Sequence, residues 1–225
     1  MQDDSKRRVA IVDYGLGNLF SVKHACEYVG LEASVTDRAD EIRNADAVIL
    51  PGVGAFGSAM EALRRLDLVE VLRKLADSKM PLIGICLGMQ LLMDESFEFG
   101  QHPGLGIIPG KVVRFENPML SDKVLKVPQV SWNRMWKPPS SGGDPWGGTL
   151  MEGMEDGVYM YFVHSFYVIP KDFAVTLAVT RYGNVEFCSA LRYGRVFAFQ
   201  CHPERSAAQG LKVYRNLASM LGREG

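Results

Sequence analysis

This chain of 225 residues lacks the features that tie a protein to a membrane, a nucleic acid or an oxidising compartment. Lys and Arg number 25 against 26 Asp and Glu, a net charge of -1, so there is no electrostatic footprint for a polyanion or an anionic bilayer. The one basic cluster, Lys6-Arg7-Arg8, reads as a solvated lead-in to a strand. No apolar segment follows Met1-Gln2-Asp3-Asp4, and no run approaches the roughly 18 apolar residues of a membrane span. A cytoplasmic protein that touches neither nucleic acid nor membrane is expected. Cysteine is scarce: Cys26, Cys86, Cys188 and Cys201 stand apart, without metal-ligand spacing. That spacing argues against a zinc site and a disulfide framework, and leaves reduced thiols.

What is present suits one large core, with 47% hydrophobic and 23% charged residues. A single domain over residues 9–222 is expected after a lead-in at 1–8. Apolar runs at 9–14, 33–35, 47–50 and 82–85 read as strands. Between them lie stretches of helical periodicity at 18–29 and 60–76, the latter one broken helix or two in succession. Strands apolar on both faces and separated by helices predict a mostly parallel sheet covered on both sides, a flavodoxin-like or Rossmann-like three-layer α/β sandwich. Past residue 104, short strands at 112–115, 159–163 and 173–179 suggest an antiparallel extension. Residues 137–148 are rich in Pro, Gly and Ser and read as an exposed loop. A strand at 196–199 and a helix at 207–221 close the chain. Gly15-Leu16-Gly17 lacks the third glycine of a dinucleotide fingerprint, Phe20 standing in its place, so nucleotide binding is not favoured.

The chemistry is carried by Gly84-Ile85-Cys86-Leu87-Gly88, directly after an apolar strand. A cysteine in that setting is most often a small buried hydrophobe. Two flanking glycines are not needed by an ordinary strand-to-helix joint, however, and they suit a nucleophile elbow that presents sulfur at a helix N-terminus. There the helix dipole and a nearby imidazole would favour thiolate. His202-Pro203-Glu204, which alone could be a surface turn, supplies both an imidazole and a carboxylate to hold its tautomer. Cys86, His202 and Glu204 are thus a candidate catalytic triad. The glycine-rich strand end Pro51-Gly52-Val53-Gly54 offers backbone N–H groups of Val53 and Gly54, with that of Leu87, as oxyanion donors, although a plain turn is the alternative. His24 and His102 have no partner signal and read as surface or packing residues.

Taken in order, Pro51-Gly52-Val53-Gly54, Gly84 to Gln90 and His202-Pro203-Glu204 resemble the class I, triad glutamine amidotransferases. Asp13 to Asn18, Tyr161 to Tyr167 and Arg205-Ser206 look like the glutaminase subunits of imidazole glycerol phosphate synthase, the likeness running from Val9 to about Leu221. The resemblance implies hydrolysis of glutamine to glutamate and ammonia with no metal or organic cofactor. It also implies delivery of ammonia to a barrel cyclase partner that makes imidazole glycerol phosphate and an aminoimidazole carboxamide ribotide for histidine biosynthesis. It further implies glutamine contacts from Gly52, Gln90, Glu98 and the backbone around His164, Ser165 and Phe166, with a structural role for the His164 ring equally open. Asn18, Trp132, Asn133 and Arg205 would form the partner face. Ser131, Phe166 and Cys201 stand where glycine, tyrosine and phenylalanine are usual, and none touches the triad. The rivals are the glutaminase part of another synthase, a related cysteine hydrolase, or a catalytically silent binding scaffold.

Overall fold

A computed structural model describes residues 7–139 and 143–222; the start of the lead-in and residues 140–142 of the 137–148 segment lie outside the described residues. Four strands, β1 (Arg8–Val12), β2 (Glu32–Thr36), β3 (Ala47–Gly52) and β4 (Leu82–Cys86), alternate with α1 (Leu19–Tyr28), α2 (Ala39–Arg43), α3 (Phe56–Arg65), α4 (Val69–Ala76) and α5 (Leu87–Leu91). Short strands β5 (Met93–Ser96) and β6 (His102–Pro103) precede β7 (Ile108–Arg114), and β8 (Met119–Leu120) and β9 (Lys123–Val124) make a small ribbon. A second ribbon pairs β10 (Gln129–Met135) with β11 (Val158–His164). The chain ends through β12 (Phe166–Pro170), β13 (Thr176–Tyr182), β14 (Val185–Tyr193), β15 (Val196–Phe199) and α6 (Ala207–Gly222).

The main sheet runs β2-β1-β3-β4-β15-β14-β12-β7-β5-β6, with β13 also on β14. The half from β2 to β15 is wholly parallel, and β14, β12 and β7 continue it antiparallel. Successive side chains of a strand point to opposite faces, and here both faces are buried. Val9 and Ile11 pack with α1 and α6 on one side, whereas Ala10 and Val12 pack with α2, α3 and α4 on the other. Ala47 and Ile49 against Val48 and Leu50 repeat the pattern. The inward residues of the β10–β11 ribbon, including Met135, Met160 and Phe162, extend the first core. No helix among the described residues is long and apolar enough to cross a membrane.

Several elements differ from expectation. The strand expected at 173–179 begins at Thr176, because Phe173–Val175 forms a 3-10 turn capped by Asp172, whose carboxylate accepts from Ala174 N at 2.9 Å. Of the two alternatives for the apolar stretch at 60–76 the structure has two helices in succession, separated where Asp67 takes φ +55°. Residues 137–148 contain neither helix nor strand among those described, but Trp146 within them is fully buried rather than exposed. Its indole N–H donates to Leu177 O at 2.6 Å. So large an apolar ring is costly to leave in water and needs an acceptor once buried.

Candidate active site

β4 passes into α5 with no intervening residue, and Cys86 makes the turn at φ +53°, ψ -108°. A side chain in this sparsely populated region costs on the order of 1–3 kcal/mol and persists only where the surroundings enforce it. The flanking glycines allow the enforcement. A Cβ on Gly88 would lie 1.7 Å from the carbonyl oxygen of Leu50, and one on Gly84 would lie 3.0 Å from the Gly88 backbone. Without them α5 could not seat against β3 and β4. The helix is only five residues long, so its dipole offers the sulfur less than the sequence suggested.

β15 runs parallel to β4 with Phe199 opposite Ile85, so the residues after Phe199 emerge beside Cys86. The turn that follows is braced against β11. His202 N donates to Tyr161 O at 2.9 Å, while Ser206 Oγ donates to His202 O at 2.6 Å and accepts from Tyr161 N at 3.0 Å. Within this frame His202 Nδ1 and Glu204 Oε1 are 2.8 Å apart, and both side chains are almost wholly buried. Burial alone would lower the basicity of the imidazole. Attraction to Cys86 and Glu204 outweighs it and raises the His202 pKa to about 10, so the ring is an imidazolium at neutral pH. Its Nε2 makes no hydrogen bond among the described residues, and Cys86 acts on it across a longer separation.

The sulfur opens on a cavity of about 320 Å³ lined by Val53, Gly54, Leu87, Gln90, Glu98, Phe99, His164, Ser165 and Phe166, among others. Every expected oxyanion residue is in this lining, and every expected glutamine contact but Gly52. Gly52 sits behind it, where a Cβ would lie 2.0 Å from the hydroxyl of Tyr14. That hydroxyl donates to Pro51 O at 2.7 Å, and burial pushes its pKa up, so it remains a donor. Glu98 Oε2 accepts from Phe56 N at 2.6 Å, which pins the carboxylate at the start of α3 and leaves its other oxygen uncommitted in that bond. A larger groove of about 470 Å³ between α1 and α6 includes Phe20, His24 and Glu204, but not Cys86. Among the described residues no group of His, Cys, Asp and Glu could hold a metal ion.

His164 lines the cavity, yet its ring packs among Phe115, Phe162 and Phe187 at centroid distances of 5.2, 5.7 and 5.2 Å. Burial lowers its pKa to about 4, so the ring is neutral and Nδ1–H donates to Phe166 O at 2.8 Å. A histidine held neutral in the fold and ordinary when unfolded contributes stability above about pH 6.5. That contribution is lost as pH falls toward about 4. The unfolding free energy should therefore drop by at most about 1.4 kcal/mol per pH unit in this window. His164→Gln, which keeps a neutral donor, should be less steep. Denaturant titrations at a series of pH values measure the difference, and equal slopes would remove the effect.

Of the expected partner residues, Trp132 is half-exposed and faces Tyr161 across the ribbon, and the Arg205 guanidinium lies 5.0 Å from the Tyr161 ring centroid. Asn18 caps α1, accepting from Ser21 N at 3.4 Å. Strand alternation places Asn133 on the other face of the ribbon from Trp132, and its amide donates to Arg181 O at 2.8 Å. His24 stacks edge-on with Phe20, and His102 covers Gly57, as packing residues do. Cys201 fills a fully buried slot in the core. In the sequence Tyr14 and Ser206 figured only as parts of motifs and had no role of their own, and Gln200 was not singled out, its one signal being a polar residue directly after an apolar strand.

A family model described as glutamine amidotransferase class-I matches residues 10–218. The chain is 43% identical over 215 residues, 94% of its length and 100% of the relative's, to imidazole glycerol phosphate synthase subunit HisH of Syntrophotalea carbinolica. It is 44% identical over 210 residues, 93% of its length and 98% of the relative's, to the protein of the same name in Chlorobaculum tepidum. Among solved structures, PurLQS from Thermotoga maritima superposes with TM-score 0.68 at 20% identity over 95% of this chain and 98% of that one, a likeness of fold. The elbow, the buried imidazole–carboxylate pair and these relatives converge: the chain belongs to the class I glutamine amidotransferases, and among them to the glutaminase subunits of imidazole glycerol phosphate synthase.

Proposed function

We propose that Cys86, His202 and Glu204 form the catalytic triad of this glutaminase subunit and that the ammonia passes to a barrel cyclase partner. The observation that carries the reading is the strained turn at Cys86, with a buried His202–Glu204 pair beside it. Cys86 Sγ attacks the side-chain amide carbon of glutamine. The oxygen that becomes negative is met by the N–H of Leu87, an orphan donor at the start of α5, and by an N–H from Val53 or Gly54. His202, protonated at rest, gives its proton to the departing nitrogen, so ammonia leaves and a thioester forms. The neutral ring then takes a proton from water as hydroxide adds to the thioester carbon, releasing glutamate and the sulfur. Glu204 orients the ring throughout.

Substrate recognition follows from what each group has left to offer. Gln90 spends both amide protons, on Phe166 O at 3.0 Å and Gln200 Oε1 at 3.2 Å, so only its Oε1 can meet the ligand. Glu98 supplies a carboxylate oxygen suited to the substrate ammonium. The peptide groups of Ser165 and Phe166 face the same space. Together with Gly52 behind them, these groups hold glutamine with its amide over the sulfur.

Thiol labelling tests the assignment directly. Burial pushes the thiols of Cys26 and Cys188 up to about 12, and that of Cys201 upward as well. Iodoacetamide or a glutamine-like electrophile should therefore modify Cys86 first, and peptide mapping by mass spectrometry reads the order. Cys201 modified ahead of Cys86 would overturn the triad. A protein that is labelled at Cys86 yet releases no glutamate with a cyclase partner present would instead be a silent scaffold.

A further inference from the structure

A buried amide that the proposed mechanism gives no role reaches the sulfur from behind. Gln200 follows β15 directly and is fully buried. Its Nε2 lies 3.7 Å from Cys86 Sγ and donates to it. The orientation of that amide is fixed from a distance. The Phe166 carbonyl can only accept, so Gln90 must present its NH2 there, at 3.0 Å. The second proton of that NH2 then points at Gln200 Oε1, 3.2 Å away, which leaves the NH2 of Gln200 for the sulfur. An amide whose oxygen is held in this way cannot flip without losing a buried hydrogen bond. Val163 O, 3.9 Å from Sγ, is an acceptor and serves only the protonated thiol.

We propose that Gln200 is a positioning residue for the nucleophile, its amide N–H holding the Cys86 sulfur on the cavity side and stabilising it as an anion. This rests on the reading of Cys86 as the nucleophile. Gln200 acts before glutamine binds, and independently of the proton that His202 carries. Other titratable groups surround the sulfur: His202 and Glu204 from the turn after β15, Cys201 beside them, Tyr14 from the end of β1, and Glu98 and His164 in the cavity lining. None of them is hydrogen-bonded to Gln200 among the described residues, so a change confined to residue 200 leaves their number and placement as they are.

The test is the pH dependence of Cys86 alkylation by iodoacetamide in the full chain, followed by peptide mapping. Gln200→Met keeps the length of the side chain and removes the donor. A hydrogen bond to a charged group contributes about tenfold in an equilibrium constant, so the alkylation midpoint should rise by about one pH unit. Reactivity at a fixed pH below the unmodified protein's midpoint should fall about tenfold. Gln200→Glu keeps an acceptor for Gln90 and offers the sulfur none of the amide protons, so its midpoint should rise at least as far. It remains the test if the Met variant does not fold. An unchanged midpoint in a variant with wild-type thermal stability overturns the role of Gln200 while leaving the triad standing. Failure of Cys86 to be the first thiol labelled in the unmodified protein would instead overturn the nucleophile itself.

Discussion

Cys86→Ala should abolish glutamine hydrolysis, lowering glutamate release by at least about 10,000-fold, because a triad without its nucleophile retains only binding and oxyanion stabilisation. The substitution is small. Cys86 is almost fully buried but lines a cavity, so the fold should tolerate the loss of sulfur. Alanine is still asked to adopt φ +53°, a strain the cysteine already bears. The chain should therefore keep its thermal stability and its affinity for the cyclase partner. Synthesis by the complex should survive when ammonium is supplied in place of glutamine, since the proposed route delivers ammonia and nothing else to the partner. Normal glutamate release from the Ala variant would mean that another group attacks the amide. Loss of the ammonium-dependent reaction would mean that Cys86 supports the complex and not the chemistry alone.

The second large effect is expected from the partner. Tyr14 holds the Pro51 carbonyl, so the peptide units free to rotate lie beyond it, at Val53 and Gly54. Gly54 occupies φ +116°, where a side chain would be strained, and Val53 is substantially exposed. A glycine-bounded peptide can rotate at low cost, so an oxyanion donor here need not be aimed correctly in the isolated chain. Losing one such donor costs about 100- to 1,000-fold in rate. Glutamate release should rise by about that factor when the partner carrying its ribonucleotide substrate is added, compared with the chain alone. Equal rates for the chain, the complex and the liganded complex would eliminate switching. Arg205, exposed beside Tyr161 and Trp132, is the residue expected to anchor the docked face. Arg205→Glu should weaken the complex while leaving Cys86 labelling unchanged, and an unaltered affinity would place the interface elsewhere.

How the family's chemistry is encoded differs from residue to residue. The elbow was legible because its signal is local. Glycines at 84 and 88 are demanded by contacts with Leu50 and with the helix itself, and both sit within two residues of the sulfur. His202 and Glu204 were legible for the same reason, since the imidazole and the carboxylate lie two residues apart on one turn. The two-residue alternation of β1 and β3, apolar on both faces, determined that helices must cover the sheet on both sides.

Other features depend on which distant segments become neighbours, and no local signal reports that. Gln200 and Cys86 are 114 positions apart and touch because β15 inserts next to β4. Gln90 reaches Phe166 across 76 positions because the antiparallel half continues the same sheet and brings the start of β12 against α5. Trp146 lies in a stretch whose composition reads as loop, but the core beneath it had room for an indole and a carbonyl to receive its N–H. Asn133 and Trp132, adjacent in sequence, were parted by the pleat of a ribbon whose inward face only tertiary packing could choose. Backbone conformation and short-range pairing are written by neighbours in the chain, so the sequence by itself determined the layered α/β fold and marked Cys86 and His202 as the candidate nucleophile and base. Strand order and the facing of side chains are set by burial of the whole, so only the tertiary structure decided what surrounds and orients them.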